Sequence, residues 1–255
     1  FPSGRKPAFR LRLASGREVT ATANHPFRTV AGWRRLDELA VGNRVATPRR
    51  LRAPEQLAVP EDLDPALVAE ESVAAGRIAT EVFSLPDEHL APVLAHVVGR
   101  IGSMGVGTLR GRPHVRLTAT STQRRLIDDL QLLLLRFGVL SRITDVGPNS
   151  PRWRLWVHGA EHQRTFLERV GVAGARGKDT AAALDALADV TANPNVDTIP
   201  PEVRDLVVAE LERMGMTQRG LAAALGEQYC GGYLLGTDSR PRASSRGRLA
   251  RIAEA

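Results

Sequence analysis

The 255-residue sequence has little of several features that define common protein classes. It contains a single cysteine, Cys230, which excludes a disulfide framework and a zinc site built on cysteines. Its longest apolar stretch, Leu130 to Leu140, is interrupted by Gln131 and Arg136 and is far shorter than the ~20 residues of a membrane-spanning helix. The first residues hold no apolar run of the kind found in secretory signal peptides. We therefore expect no membrane partner and a soluble, cytoplasmic protein.

Lysine is almost missing, although the chain is basic. Only Lys6 and Lys178 are lysines among the 35 basic residues, so the other 33 are arginine, and the formal net charge is +7. Arginine presents a planar set of N–H donors that matches phosphate oxygens, and a basic chain favours nucleic acid as a partner. A coding bias toward arginine would explain the same composition without any function.

The apolar pattern predicts an α+β protein built from several segments, and a hydrophobic content of 43% is enough to form cores. Residues 1–50 alternate apolar and polar positions in short runs separated by glycine turns, which is typical of a β-rich unit. A stretch rich in proline and charge predicts a linker over 51–76. Residues 77–172 carry helical and alternating patterns in the order αββαββα, and residues 178–255 are helical and basic.

The segment Thr22-Ala23-Asn24-His25-Pro26-Phe27 is the most informative motif. Taken alone, a threonine and a histidine three residues apart at a strand end are ordinary structural residues. In its context, from Phe9 to Pro48, the segment resembles the N-terminal splicing region of inteins, whose T-x-x-H block is followed by proline. Further positions that fall where this family places them are Gly32, Trp33, Leu36, Leu39, Gly42 and Val45. The resemblance implies a partial, β-rich Hint fold over residues 1–50.

The intein resemblance implies that His25 and Thr22 assist the first acyl shift at the upstream splice junction. A histidine donates a proton to the scissile amide nitrogen as a general acid, and a threonine hydroxyl steadies the reacting group. Splicing also needs a Cys or Ser nucleophile at the first residue of an intein and a His-Asn pair at its end. Phe1 and Ala255 match neither requirement, so we expect an interior segment of an intein that lacks both splice junctions and does not splice alone.

The run from Leu94 to Gly102, LAHVVGRIG, resembles a degraded form of the nine-residue LAGLIDADG signature of homing endonucleases. Without its surroundings, this run is an amphipathic helix that ends in glycine. It lies within the αββαββα order and follows an intein-like block. Residues Arg77 to Glu88 also resemble the lead-in to the second such helix in inteins of replicative DnaB-type helicases. The resemblance implies half of a LAGLIDADG, or DOD-type, endonuclease module over 77–172.

The metal site of that family has no counterpart in this sequence. In the family, an acidic residue at the foot of the signature helix holds Mg²⁺ over the scissile phosphate. Ile101 takes that position here, and its aliphatic side chain cannot bind a metal. The first copy of the signature is also missing between Arg49 and Arg77, where only Leu67 to Ser72 has some similarity. We expect a catalytically eroded module with no metal or other cofactor, which binds DNA without cutting it.

The tail from Gly215 to Gly226 resembles the first helix and turn of a repressor-type helix-turn-helix, with a later packing helix at Arg248 to Ala253. Read without the resemblance, the stretch is an alanine-rich amphipathic helix, and both interpretations stay open. The recognition helix would lie between Glu227 and Leu235, where Gly231-Gly232 is unfavourable. Distributed arginines predict weak, largely non-specific binding to double-stranded DNA. The residues predicted to contact it are Arg49, Arg50, Arg52, Arg124, Arg125, Arg219, Arg246 and Arg248.

Three functions are compatible with these patterns. We favour an interior segment of an intein in a replicative DnaB-type helicase, whose partners in the precursor are the flanking helicase segments. The second is a stand-alone helix-turn-helix DNA-binding regulator. The third is a still-active LAGLIDADG endonuclease, which would need another acid in place of Ile101, and neither Asp87 nor Asp128 lies at the foot of that helix. Whether this chain is an enzyme stays open.

Overall fold

The computed structural model describes residues 4–55, 59–109, 111–188, 190, 198–228 and 244–255. The chain forms two compact units. The sheet unit comprises Ala8–Ala21 and Thr47–Thr191, and the terminal unit comprises Phe1–Pro7, Thr22–Ala46 and Ala192–Ala255. The mixture of helices and small antiparallel sheets is that of an α+β protein, as predicted.

The described part of the chain contains eight strands and eight α-helices. The strands are β1 (Ala8–Arg12), β2 (Glu18–Thr22), β3 (Pro26–Thr29), β4 (Gly32–Arg35), β5 (Gly102–Leu109), β6 (Arg112–Ser121), β7 (Ser141–Asp145) and β8 (Trp153–Val157). The helices are α1 (Pro65–Ala75), α2 (Asp87–Ile101), α3 (Arg124–Leu134), α4 (Ala160–Arg169), α5 (Thr180–Ala188), α6 (Val203–Arg213), α7 (Gln218–Ala224) and α8 (Arg246–Glu254). None of these helices is long and apolar enough to cross a membrane.

A four-stranded antiparallel sheet in the order β5-β6-β8-β7 forms the centre of the sheet unit. Together with α2, α3 and α4, it reproduces the αββαββα order expected for residues 77–172. Alternate strand residues join one buried cluster with apolar residues of these helices. Those strand residues are Val115, Leu117, Ala119, Ile143, Leu155 and Val157. Because side chains alternate along a strand, the residues between them project from the opposite face of the sheet.

The range 51–76, expected to be a linker, contains helix α1. The side chain of Asp64 caps this helix by accepting hydrogen bonds from the N–H groups of Ala66 at 2.8 Å and Leu67 at 3.3 Å. The helix ends at Gly76, which has a left-handed φ of 67°. An acidic cap followed by proline is a recognised helix start. The alanine-rich sequence has no well-separated apolar side, and this hides the helix from a search for periodicity.

The terminal unit contains α6, α7 and α8, in the part of the chain that was expected to be helical. Leu221 and Ala222 of α7 are buried against Val207 and Leu211 of α6 and Ile252 of α8. The stretch predicted for a recognition helix, from Glu227 to Leu235, lies mostly outside the described residues. A helix-turn-helix therefore stays a prediction.

The two compact units divide the chain differently from the segments proposed from the sequence. The hairpin of β1 and β2, up to Ala21, lies in the sheet unit, whereas Thr22–Ala46 lies in the terminal unit. The segments 1–50, 51–76, 77–172 and 178–255 remain predictions about function. The hairpin therefore contacts the sheet unit, and a Hint segment over residues 1–50 would not predict such contacts.

Candidate nucleic-acid interface

One face of the four-stranded sheet carries a group of cationic and aromatic side chains. It is the face opposite the buried cluster. The register places three strands side by side at this point, because Trp156 of β8 pairs with Thr118 of β6 and with Arg142 of β7. The same alternation places residues of β6 and residues at the end of β8 on this surface. We call it the basic face, and it consists of His114, Arg116, Arg142, Arg154, Trp156 and His158.

The ring of Trp156 makes three side-chain contacts: a hydrogen bond, a cation–π contact and a stacking contact. Its Nε1–H donates to Thr144 Oγ1 at 3.3 Å. The guanidinium of Arg154 lies 5.3 Å from the centre of the ring, and the imidazole of His158 stacks on it at 5.6 Å with an interplanar angle of 12°. Arg154 Nε in turn donates to Thr120 Oγ1 at 3.4 Å. These contacts hold the centre of the basic face in one arrangement before any ligand binds.

The charge of the basic face is not compensated by the protein. Arg116 and Arg142 are exposed, and neither forms an ion pair within the described part of the chain. Burial lowers the pKa of His158, and the nearby charges of Arg142 and His114 lower it further. Neighbouring cations disfavour the charged imidazole, and their effect adds to the larger effect of burial. An extended polyanion such as a nucleic-acid backbone is the ligand that this arrangement suits.

Several arginines predicted to contact DNA form ion pairs within the chain. Arg124 Nε lies 2.9 Å from Asp128 Oδ1, and Arg125 Nε lies 2.9 Å from Asp129 Oδ1. Arg248 pairs with Glu227. A guanidinium that already has a carboxylate partner gains less from a phosphate, because the internal pair must be broken or shared. Their contact with DNA stays a prediction, and the structure places other arginines in a more available position.

The remaining predicted DNA contacts are distributed over both units. In the sheet unit, Arg50 Nε donates to the carbonyl oxygen of Arg136 at 3.3 Å, and Arg52 is exposed. Arg49 is partly buried in the same stretch, before α1. In the terminal unit, Arg219 and Arg246 are exposed. None of these residues is part of the basic face.

Sequence reasoning missed the residues of the basic face, although it identified their strands. The available signal was the alternation of apolar and polar residues along each strand. In the run Trp153 to His158, the buried Leu155 and Val157 are separated by Trp156, and the same parity places Arg142 on β7 and Arg116 on β6. Which strands are neighbours is not written in the local pattern, so the cluster could not be assembled from the sequence.

The predicted splicing residues Thr22 and His25 lie in one tight turn after β2. The His25 N–H donates to the carbonyl oxygen of Thr22 at 3.0 Å, and Thr22 Oγ1 donates to Asn24 Oδ1 at 2.8 Å. The His25 ring is exposed and packs edge-on against Phe27, with 5.1 Å between ring centres. The turn thus brings the two residues together with the imidazole open to a reacting group. Their roles stay predictions.

The foot of α2, where the endonuclease family binds Mg²⁺, has different chemistry in this chain. Ile101 is the last residue of α2 and packs against the buried cluster. Arg176 Nη1 donates to the carbonyl oxygens on either side of it, to Arg100 at 2.6 Å and to Gly102 at 2.7 Å. Among the described residues, no group of three His, Cys, Asp or Glu side chains could hold a metal. The foot of the helix offers an aliphatic side chain and a bound guanidinium instead of carboxylates, so these residues do not fit Mg²⁺.

Comparison with known proteins finds a family match in the central part of the sheet unit. Residues 105–171 match the LAGLIDADG-like domain family. The match runs from within β5 to just past α4 and confirms the resemblance predicted from the sequence. It begins after α2, so the signature-like helix itself is outside the matched range.

Longer matches extend over most of the chain. It is 27% identical to the replicative DNA helicase DnaB of Rhodothermus marinus over 344 residues, covering all of this chain and 35% of that protein. For DnaB of Synechocystis sp. the identity is 25%, covering 91% of this chain and 36% of the relative. A probable translation initiation factor IF-2 of Pyrococcus abyssi is 28% identical, covering 69% of this chain and 17% of the relative. The chain thus spans about a third of the length of its helicase relatives.

The shifted pKa of His158 predicts that polyanion binding depends on pH. At neutral pH the imidazole is uncharged in the free protein, and a bound phosphate backbone favours the protonated form. We expect the affinity for a duplex oligonucleotide to rise several-fold as pH falls from about 7.5 to about 5.5, through the ordinary histidine range. Fluorescence anisotropy at constant ionic strength measures this, with His158→Gln as the test variant.

The matched control for this titration is His96→Gln, since His96 lies on α2 and not on the basic face. The His158→Gln protein should lose part of the pH dependence, because His114, the other histidine of the basic face, is retained. The His96→Gln protein should keep the full pH dependence. Stability moves in the opposite direction. Because the folded-state pKa is lowered, the unfolded chain binds more protons, and His158 destabilises the free protein as pH falls below about 6.5. An unchanged affinity profile in His158→Gln would contradict the assignment.

Proposed function

We propose that this chain is a segment of an intein whose LAGLIDADG-like module binds DNA without cleaving it. In this proposal, Thr22 and His25 assist the upstream acyl shift, and the flanking helicase segments are its partners in a precursor. The main support for the proposal is that this one chain is similar to parts of proteins whose names describe unrelated activities. A replicative helicase and a translation initiation factor are both similar to most of this chain.

The matched portions argue for an inserted element. They take up 69% to 100% of this chain but only 17% to 36% of the relatives. A segment shared by proteins of unrelated function belongs to the activity of neither host. The helicase activity of the relatives is therefore not proposed for this chain. A LAGLIDADG-like domain within such a segment, together with similarity to DnaB helicases, fits an intein in a DnaB helicase.

The length of the alignment supports a shortened module. The match to the Rhodothermus relative extends over 344 residues and this chain has 255, a difference of 89. The sheet unit contains one αββαββα repeat among its described residues, whereas the signature logic of the family requires two helices packed together. The proposal of a halved module accounts for both observations.

The proposed splicing step uses the turn after β2. The junction nucleophile attacks the carbonyl carbon of the preceding peptide, forming an ester or thioester and breaking the C–N bond. The exposed imidazole of His25 supplies the proton that the departing amide nitrogen takes up. The hydroxyl of Thr22 donates a hydrogen bond to the reacting group in exchange for its hydrogen bond to Asn24 Oδ1. The tight turn keeps the two side chains on one site.

The proposed DNA interaction is electrostatic. The basic face offers unpaired cations in a fixed arrangement, and contacts with phosphates fix position without reading sequence. At the foot of α2, Ile101 and the bound guanidinium of Arg176 give no position for a divalent ion. Binding and cutting are therefore separated in this chain, because binding depends on distributed charge and cutting depends on a metal.

The splicing role predicts a specific loss in His25→Ala. In a precursor that carries an upstream Cys and a downstream His-Asn, we expect this change to slow cleavage at the upstream junction at least about a hundredfold, since general acid catalysis contributes 10²–10⁴. The rate is measured by thiol-induced release of the upstream segment on gels. His158→Ala is the control, because His158 lies in the sheet unit. Equal rates for the two variants would refute the assignment.

DNA binding should be weak and salt-dependent. We expect a Kd on the order of 10⁻⁴–10⁻⁶ M at physiological salt. Changing Arg116 and Arg142 together to alanine should lower the slope of log K against log salt by about 2, since each lost phosphate contact removes about 0.9. The control removes two arginines that already have carboxylate partners, Arg35 and Arg213. Filter binding across a salt series measures the slopes, and an equal change in both double variants would exclude the basic face.

Cleavage should be undetectable with Mg²⁺ or Mn²⁺ on a plasmid that carries an uninterrupted helicase gene. Ile101→Asp alone should not restore cleavage, because the new carboxylate would have no second acid on a partner helix. Agarose gels of the supercoiled plasmid show the products. Metal-dependent linear DNA from the unaltered protein would overturn the proposal of binding without cutting.

A further inference from the structure

Side chains at alternate positions of β8 and just after it form a stacked column on the basic face. Arg154 precedes Trp156 by two residues and His158 follows it by two, so the guanidinium and the imidazole approach the indole from opposite directions along the strand. They lie 5.3 and 5.6 Å from the ring centre of Trp156, and the imidazole is inclined by only 12° to the indole plane. Protein groups therefore cover the indole from both directions, and the column ends at His158.

The imidazole of His158 leaves the end of this column open. His158 is exposed, and one face of its ring lies against Trp156, so its exposed surface is the opposite face together with the ring edges. Flat aromatic surfaces of this kind bind the bases of single strands by stacking. The bases of a duplex are already paired and stacked on each other, and reaching one of them costs energy. The open face of His158 therefore suits a base that is not paired.

Exposed arginines lie on both sides of His158. On one side, Arg142 of β7 pairs with Trp156, and its charge adds to the effect of burial in lowering the pKa of His158. On the other side, Arg116 stands two residues before Thr118, the β6 partner of Trp156, so the antiparallel register places it beside His158. Neighbouring strands are about 4.8 Å apart, which keeps both arginines close to the column. A nucleotide within a strand has a phosphate on each side of its base, and this arrangement provides a cation for each.

Strand β7 is held in place by the turn of the β1–β2 hairpin, which is docked on it. The N–H of Ile143 donates to the carbonyl oxygen of Ser15 in this turn at 2.8 Å. Arg124 Nη2, on α3, donates to the carbonyl oxygen of Gly16 in the same turn at 2.5 Å. β7 is an edge strand of the sheet, and Arg142 directly precedes Ile143 in it. The docked hairpin therefore stabilises the strand that carries one of the two cations.

We propose that the basic face binds one unpaired nucleotide, with its base on the open face of His158 and its adjacent phosphates on Arg116 and Arg142. This inference rests on the proposed function, because it names the form of nucleic acid that the basic face prefers. Paired DNA offers only phosphates to this surface, whereas an unpaired base adds a stacking contact to the same electrostatic one. The arginines supply the part of the affinity that every strand shares, and His158 supplies the preference.

The experiment measures the binding of the full chain to three fluorescent duplexes of one sequence. The first is fully paired, the second has one unpaired thymine in the middle of one strand, and the third has an abasic residue at that unpaired position. The second and third carry the same number of phosphates and differ only in the base. We expect the duplex with the unpaired thymine to bind at least about fivefold more tightly than the other two, as a stacked base contributes. Fluorescence anisotropy at low, constant salt and about pH 8, where the imidazole is uncharged, measures the affinities.

Variants of His158 show whether this preference comes from stacking. His158→Ala should bind the unpaired-thymine duplex no better than the paired one, and His158→Phe should keep the preference because phenylalanine retains a flat ring. His96→Ala, on α2, is the matched control and should keep it as well. Replacing the unpaired thymine with iodouracil gives a second readout, since irradiation should crosslink the strand to the peptide that contains His158. A preference that survives in His158→Ala, or a crosslink to another peptide, would overturn the assignment.

The outcomes also distinguish this inference from the function on which it rests. If all three duplexes bind equally well, and changing Arg116 and Arg142 together to alanine weakens all of them, the base site is overturned and the proposed DNA binding stands. If none of the duplexes binds, the proposed DNA binding fails and the base site fails with it. Single strands of RNA and DNA of one sequence distinguish the two sources of an unpaired nucleotide, and the tighter of the two names the source.

Discussion

The packing of the sheet unit depends on a close contact between helix α2 and the segment that follows α4. A Cβ on Gly99 would lie 2.5 Å from the carbonyl oxygen of Ala173, and the Ala173 N–H donates to the carbonyl oxygen of Ala95 at 3.0 Å. Only a residue without a side chain permits this approach. The contact fixes the segment that follows α4, and with it the position of Arg176 at the end of α2. The close approach of Ala173 to Gly99 thus lies only three residues before Arg176, whose guanidinium binds the carbonyl oxygens at the end of α2.

The arginines of this chain serve two opposite purposes. Some form buried ion pairs that stabilise the fold. Arg136 is 3% exposed, and its Nη2 lies 2.6 Å from Asp87 Oδ1. Removing either partner of this pair would strongly destabilise the protein, because the other charge would stay buried without a partner. Others, on the basic face, have no carboxylate partner among the described residues and are available to a ligand. The net charge of +7 counts both kinds alike. Composition indicates a polyanionic partner. The ion pairs within the chain are needed to show which arginines are available to bind it.

Local patterns predicted much of this architecture, and their limits are physical. The αββαββα order followed from apolar periods of about 3.6 and 2 residues, and the Thr22–His25 turn was visible because all its parts are adjacent. Helix α1 was missed because alanine gives no apolar side, although Asp64-Pro65 marked its start. The basic face needed the pairing of Arg142 with Trp156, which is a fact of register. Docking of the hairpin joins residues more than a hundred positions apart, as with Gly16 and Arg124, and no local pattern records it.

The docked hairpin has a consequence for the order of events during synthesis. The carbonyl oxygen of Ser15 accepts a hydrogen bond from the N–H of Ile143, which leaves the ribosome 128 residues later. That interval takes roughly 6–26 s at 5–20 residues per second. Until then the hairpin is a two-stranded ribbon with no sheet to pack on, and such ribbons are marginally stable in water. Closing so long a loop is entropically costly, so the hairpin settles after the sheet has formed. These two strands are made before the sheet and take their final place after it.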